Sequence, residues 1–181
     1  MWLVRHAASA APAGLAIGAT DPPLSEHGLV QAREVAAELA NRPLVRILSS
    51  DLERALVTAR IVAAPHRLMV EPTDALREID FGSWEGRSLG ELWSEDPAAA
   101  KAWEEDITLT PSTFGESVAD LERRVARFWE TLQPIPREAE IAVVAHRGSL
   151  AALWAVIAGV TFADAFAMRL EVGGMVALSA S

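Results

Sequence analysis

No cysteine occurs in this chain, which excludes disulfide bonds and thiolate metal sites. Basic residues are outnumbered. The formal net charge of -9 argues against a nucleic-acid surface, so any cationic site has to be local, a few arginines set against an acidic background. Long apolar runs are missing as well. The longest, around Leu150 to Val160, is too short to span a bilayer. The N-terminus has no basic leader, and Arg5 and His6 interrupt its apolar run early, so no signal peptide is expected. There is no glycine-rich run closing on Lys-Ser/Thr and no carboxylate cluster at metal spacing, which leaves a nucleotide-kinase or magnesium site without support. No internal repeat or low-complexity linker divides the chain. With 181 residues, 51% of them hydrophobic and 23% charged, the expectation is a single domain over 1–181, a cytoplasmic enzyme or binding protein with no nucleic-acid or membrane partner.

What is present begins at the first residue. Met1 to Val4 is an apolar run that reads as a buried strand, and it ends directly on Arg5 and His6. The pattern returns at Ile141 to Ala145, another all-apolar run, ending on His146 and Arg147. Ligands of open α/β sheets bind at the C-terminal ends of parallel strands. If the two strands lie side by side, two imidazoles and two guanidiniums converge there.

Between these runs, strand and helix signals alternate. Small and turn-forming residues from Ala7 to Pro23 read as a loop; Ser25 then caps a helix whose stripe is Leu29, Ala32, Val35, Ala36 and Leu39. A strand over Val45 to Leu48 leads to Asp51, a candidate cap for a helix reaching about Ala64. Arg54 lies in that helix's first turn, where the dipole disfavours a cation, so it is either an exposed partner of Glu53 or Asp51 or a residue awaiting an anion. A short strand over Arg67 to Val70 precedes a structured loop from Ala75 to Gly86, in which Glu78 stands among apolar neighbours that suit a general acid. Helices are expected over Leu89 to Glu104 and Ser117 to Leu132, with Trp93, Trp103, Phe128 and Trp129 packed as core, and a lid loop over Ile107 to Glu116. After the helix from Gly148 to Ala158, Phe166 to Val172 and Met175 to Ser179 read as an antiparallel hairpin turning at Gly173-Gly174. The alternation predicts an α/β fold: a mostly parallel central sheet with helices on both faces and an antiparallel edge at the C-terminus.

On that plan His6, Arg54, Glu78 and His146 all fall just past strand ends. Guanidinium forks match phosphate oxygens, and helix N-termini add backbone donors, so the cluster suits a phosphoryl group. A metal cation among arginines would be repelled.

The segments Arg5-His6, Gly18 to Gly28, Ser49 to Ala55 with Thr58-Ala59, Leu76 to Gly86, Gly115 to Ser117 and Val144 to His146 resemble, in order, the motifs of the histidine phosphatase superfamily, the phosphoglycerate mutase-like clan. The look is closest to the branch of α-ribazole phosphatases and small broad-specificity phosphatases. The resemblance implies a phosphoglycerate mutase-like fold and hydrolysis of a small phosphorylated metabolite through a phosphohistidine, with no metal and no cofactor. It makes His6 the nucleophile, Glu78 the proton donor and then base, Arg5, Arg54 and His146 the phosphate-holding groups, and Ser9 and Arg147 further substrate or phosphate contacts. Three positions depart from the pattern: Ala7 where the family has glycine, Pro12 where it often has asparagine, and Arg147 where it has a small residue. Mutase-type phosphoryl transfer and a catalytically degenerate phospho-ligand binding protein stay open as alternatives, as do monomer and homodimer.

Overall fold

In the computed structural model, which describes residues 1–106, 108–109, 115–132 and 139–178, the two apolar runs form neighbouring parallel strands. β1 (Trp2–Arg5) pairs with β4 (Glu140–Ala145) in a register that sets Arg5 opposite Ala145. The next residues, His6 and His146, therefore leave the sheet side by side. β2 (Leu44–Ser50) lies on the other side of β4, β3 (Val70–Thr73) lies outside β2, and β5 (Met175–Ala177) runs antiparallel to β1. The strand order is β3-β2-β4-β1-β5.

Strand alternation distributes the core over both faces. Leu3, Val143 and Ala145 point to one face, covered by α5 (Val118–Thr131), α6 (Arg147–Ala158) and α7 (Phe162–Ala167). Val4, Ala142 and Val144 point to the other, covered by α1 (Glu26–Leu39) and α2 (Glu53–Ala63). Ser25 caps α1 as its sequence promises, its hydroxyl accepting from Gly28 N at 3.0 Å. No helix among the described residues is long and apolar enough to cross a membrane.

Three local expectations change. The helix expected over Leu89 to Glu104 is two, α3 (Leu89–Glu95) and α4 (Pro97–Glu105), because Pro97 starts the second and Asp96 caps it through Ala99 N. Phe166 to Val172 is not a strand. Thr161 caps α7 through Asp164 N, Phe162 and Ala165 are buried, and Gly173, at φ 71°, turns the chain so that its N–H donates to His6 O. Only Met175–Ala177 of the expected hairpin pairs, with β1, and Ser179 lies outside the described residues. The strand expected over Arg67 to Val70 starts at Val70, since Arg67 takes a left-handed conformation (φ 56°) that closes the preceding 3-10 turn. Most of the expected lid, 107 and 110–114, falls outside the described residues.

Candidate active site

His6 is 8% exposed and His146 is fully buried; their ring centroids stand 5.0 Å apart. That spacing is within reach of one phosphoryl group. The Nδ1 of His6 lies 2.8 Å from Ala7 O, a pairing that places the proton on Nδ1 and leaves the Nε2 lone pair free. Ala7 serves this role as glycine would: the non-glycine residues with positive φ among those described are Arg67 and Arg169, so Ala7 occupies ordinary backbone. Its own N–H donates to Thr58 Oγ1 at 3.1 Å, and the Thr58 hydroxyl donates to Arg54 O, tying the first strand's exit to α2.

His146 Nε2 sits 2.9 Å from Ser50 Oγ at the end of β2. Its Nδ1 is buried without a partner. Burial, above all, pushes His6 down to about 3, the hydrogen bond to Ala7 O working against this and the Arg54 and Arg5 charges adding to it. His146 is held well below its ordinary value, first by burial, then by His6 and the two arginines. Both rings are neutral at pH 7.

Arg54 is neither exposed nor paired with Glu53 or Asp51. Only 1% exposed, it donates to Thr20 O (2.7 Å), Gly18 O (2.8 Å) and Asp21 Oδ1 (3.3 Å), while Nε has no partner. Asp51 does not cap α2 either, because Arg77 occupies its carboxylate; the α2 amide Glu53 N instead donates to Asp21 Oδ2 at 2.6 Å. The loop that receives Arg54 is gripped from its amide side by Glu85, which accepts from Gly18 N (3.0 Å), Ala19 N (2.8 Å) and Thr20 N (3.0 Å). Gly18 is required there: a Cβ would lie 1.9 Å from Ile79 O.

Glu78 reaches the N-terminus of α6. Its Oε1 and Oε2 accept from Gly148 N at 3.0 and 3.1 Å, and Oε1 also accepts from Ile79 N. A Cβ on residue 148 would come within 2.4 Å of Oε1, so the glycine makes this approach possible. Arg5 donates to Leu170 O at 2.9 Å and keeps Nε unpaired. Arg147 lays its guanidinium 3.8 Å over the Phe166 ring.

These groups line one cavity of about 560 Å³. Arg5, His6, Ser9, Pro12, Arg54, Glu78 and Arg147 all line it, and the loop after β1 adds Ala11, Ala13 and Leu15 to Ile17. His146 is not among the lining residues; fully buried, it neighbours His6, which is. Two parts of the site were not legible as such in the sequence. Ser50, Thr58, Asp21 and Glu85 hold the catalytic candidates; they lie inside the motif segments, but no local signal marks them for that task. Trp103, assigned to the core, lines the cavity with Phe81, and Trp93 is 43% exposed; Phe128 is buried and Trp129 packs against the core as expected.

A buried pair of neutral imidazoles beside arginines is a phosphoryl-binding arrangement, and the comparisons agree. The family model described as histidine phosphatase superfamily (branch 1) matches residues 1–180. The adenosylcobalamin/α-ribazole phosphatase of Salmonella typhimurium is 35% identical over 174 residues, covering 96% of this chain and 86% of that protein. Phosphoserine phosphatase 1 of Hydrogenobacter thermophilus is 35% identical over 159 residues, 87% of this chain and 75% of its own. The crystal structure of the α-ribazole phosphatase from Shigella flexneri superposes with a TM-score of 0.86 at 32% identity, covering 96% of this chain and 87% of that one. Sequence motifs, sheet order and the paired histidines thus converge on one assignment: the chain belongs to the histidine phosphatase superfamily.

Proposed function

We propose that this protein is a metal-independent phosphomonoesterase that cleaves a small phosphorylated metabolite through a phosphohistidine. The observation that carries the reading is the His6 ring: Nδ1 committed to Ala7 O, the proton absent from Nε2 at neutral pH, and a second imidazole 5.0 Å away. Nε2 attacks phosphorus as the ester P–O bond breaks, forming a P–N bond. Arg5, Arg54 and His146 hold the non-bridging oxygens, where charge accumulates; the partnerless Nε atoms of both arginines and Nδ1 of His146 are the uncommitted positions. Glu78 gives a proton to the departing alkoxide. It then takes one from the water that attacks phosphohistidine, returning His6 and releasing inorganic phosphate. Ser9 and Arg147 contact the ester from the cavity wall. Ala7 keeps the nucleophile's orienting bond, which favours an active enzyme over a degenerate binding protein. The reading is completed by a small-molecule substrate, a cytoplasmic setting and action as monomer or homodimer.

The test is trapping of phosphoenzyme by quenching into alkaline detergent, under which a P–N bond survives, together with turnover of p-nitrophenyl phosphate. His6→Ala is expected to abolish both, while Glu78→Gln slows turnover by about 10²–10⁴-fold and retains phosphate affinity. Full activity in the His6 variant would overturn the mechanism. A panel containing α-ribazole phosphate, phosphoserine and 3-phosphoglycerate then ranks substrates, and conversion of the last to its isomer rather than to phosphate would reveal a mutase.

A further inference from the structure

The cavity far exceeds a phosphoryl group in volume, and its apolar lining includes Leu15, Ile17, Phe81, Trp103, Phe162 and Phe166. What it lacks is as informative. Trp103 Nε1 and Arg147 Nε are buried without partners, and both are N–H donors. Buried donors left unpaired are costly, and a pocket wall holding them is completed by a ligand that brings acceptors. The carboxylate among the described lining residues, Glu78, already accepts from Gly148 and Ile79.

Neither donor is free to search elsewhere. The Trp103 ring stands edge-on to Phe81 (6.1 Å, 80°) and to Trp84 (5.9 Å, 90°). Arg147 is stacked on Phe166 and makes one long hydrogen bond, 3.5 Å, to Phe166 O. With the phosphoryl dianion held by Arg5 and Arg54, Arg147 is the cation left among the described lining residues to face the alcohol half of the ester, and it repels a cation there.

We propose that Trp103 and Arg147 select the alcohol half of the substrate: an apolar, ring-bearing group that presents hydrogen-bond acceptors and carries no ammonium. This rests on the phosphomonoesterase reading and narrows it to a substrate class. Indole N–H and guanidinium bond the acceptors, and the aromatic wall buries the ring.

Three esters that share one alkoxide test it: O-phosphoserine, N-acetyl-O-phosphoserine and N-benzoyl-O-phosphoserine. Acylation removes the ammonium, adds an acceptor carbonyl and then adds a ring. Losing the ammonium also makes the alkoxide a slightly poorer leaving group, so intrinsic reactivity runs against the expected order. The wild type is expected to raise kcat/KM by about tenfold or more from the first ester to the third. Trp103→Phe, which keeps a ring but loses the N–H, and Arg147→Gln are each expected to reduce the N-acetyl to unmodified ratio by roughly threefold or more. A wild-type series that is flat or reversed while p-nitrophenyl phosphate is turned over overturns this inference alone, and an unchanged ratio in either variant removes that residue from it. Absence of turnover with every ester, p-nitrophenyl phosphate included, overturns the phosphomonoesterase reading and this inference with it.

Discussion

The protonation state of His6 is set by where the residue sits. An imidazole at the end of a buried strand loses most of its hydration, and that loss, reinforced by Arg54 and Arg5, pushes it down to about 3. The free enzyme then holds an unprotonated nucleophile across the whole range in which an ordinary histidine titrates. After correction for ionisation of the ester, kcat/KM is expected to show no inflection near pH 6.5; a roughly fivefold fall between pH 6.5 and 5.5 would mean that His6 keeps its ordinary affinity for protons. The sequence made His6, Arg54, Glu78 and His146 legible because each follows an apolar run or breaks a local rule. The helix dipole argument flagged Arg54 correctly as misplaced, but its partners, the carbonyls of Gly18 and Thr20 and the Asp21 carboxylate, are more than thirty residues away. No local pattern encodes that distance.

At the scale of the element, α6 does two things at once. Its N-terminus begins at the residue after His146, and its second residue, Gly148, offers the N–H that fixes Glu78. Gly148→Ala would push the carboxylate away, since the added methyl would lie 2.4 Å from Oε1. The expected result is a fall in kcat of about 10²-fold with phosphate inhibition unchanged, measured by steady-state kinetics with and without inorganic phosphate. A matching loss of phosphate affinity would show that the substitution had disturbed the phosphate cradle rather than Glu78. The α3 and α4 pair illustrates the limit of periodicity. Trp93 and Trp103 recur at helical spacing, yet Pro97 restarts the helix between them and turns their faces apart, leaving one exposed and the other on the cavity wall.

For the whole molecule, the two buried histidines couple folding to acidity. Each is depressed in the native state and regains its ordinary value of 6.5 on unfolding, so below that value the unfolded chain binds protons that the native chain does not. Protons therefore favour unfolding. Stability is greatest above pH 6.5 and is expected to fall as pH drops below it, by about 1.4 kcal/mol per unit for each histidine still unprotonated in the native state. Urea denaturation at pH 7.0, 6.0 and 5.0 measures the slope, and His146→Asn should make it shallower. A stability independent of pH across that interval would show that the rings take up protons without leaving their places.

By itself the sequence determined the strand-helix alternation, the two histidines at strand exits and the family motifs, because apolar runs and turn residues act within a few positions of one another. The tertiary structure alone decided the register that places Arg5 opposite Ala145, and with it the 5.0 Å between the rings. It also decided the grip of Glu85 on the loop that holds Arg54, and the turn of Trp103 into the cavity. These are contacts between segments remote along the chain, and they exist only once sheet order and helix packing have fixed which surfaces meet.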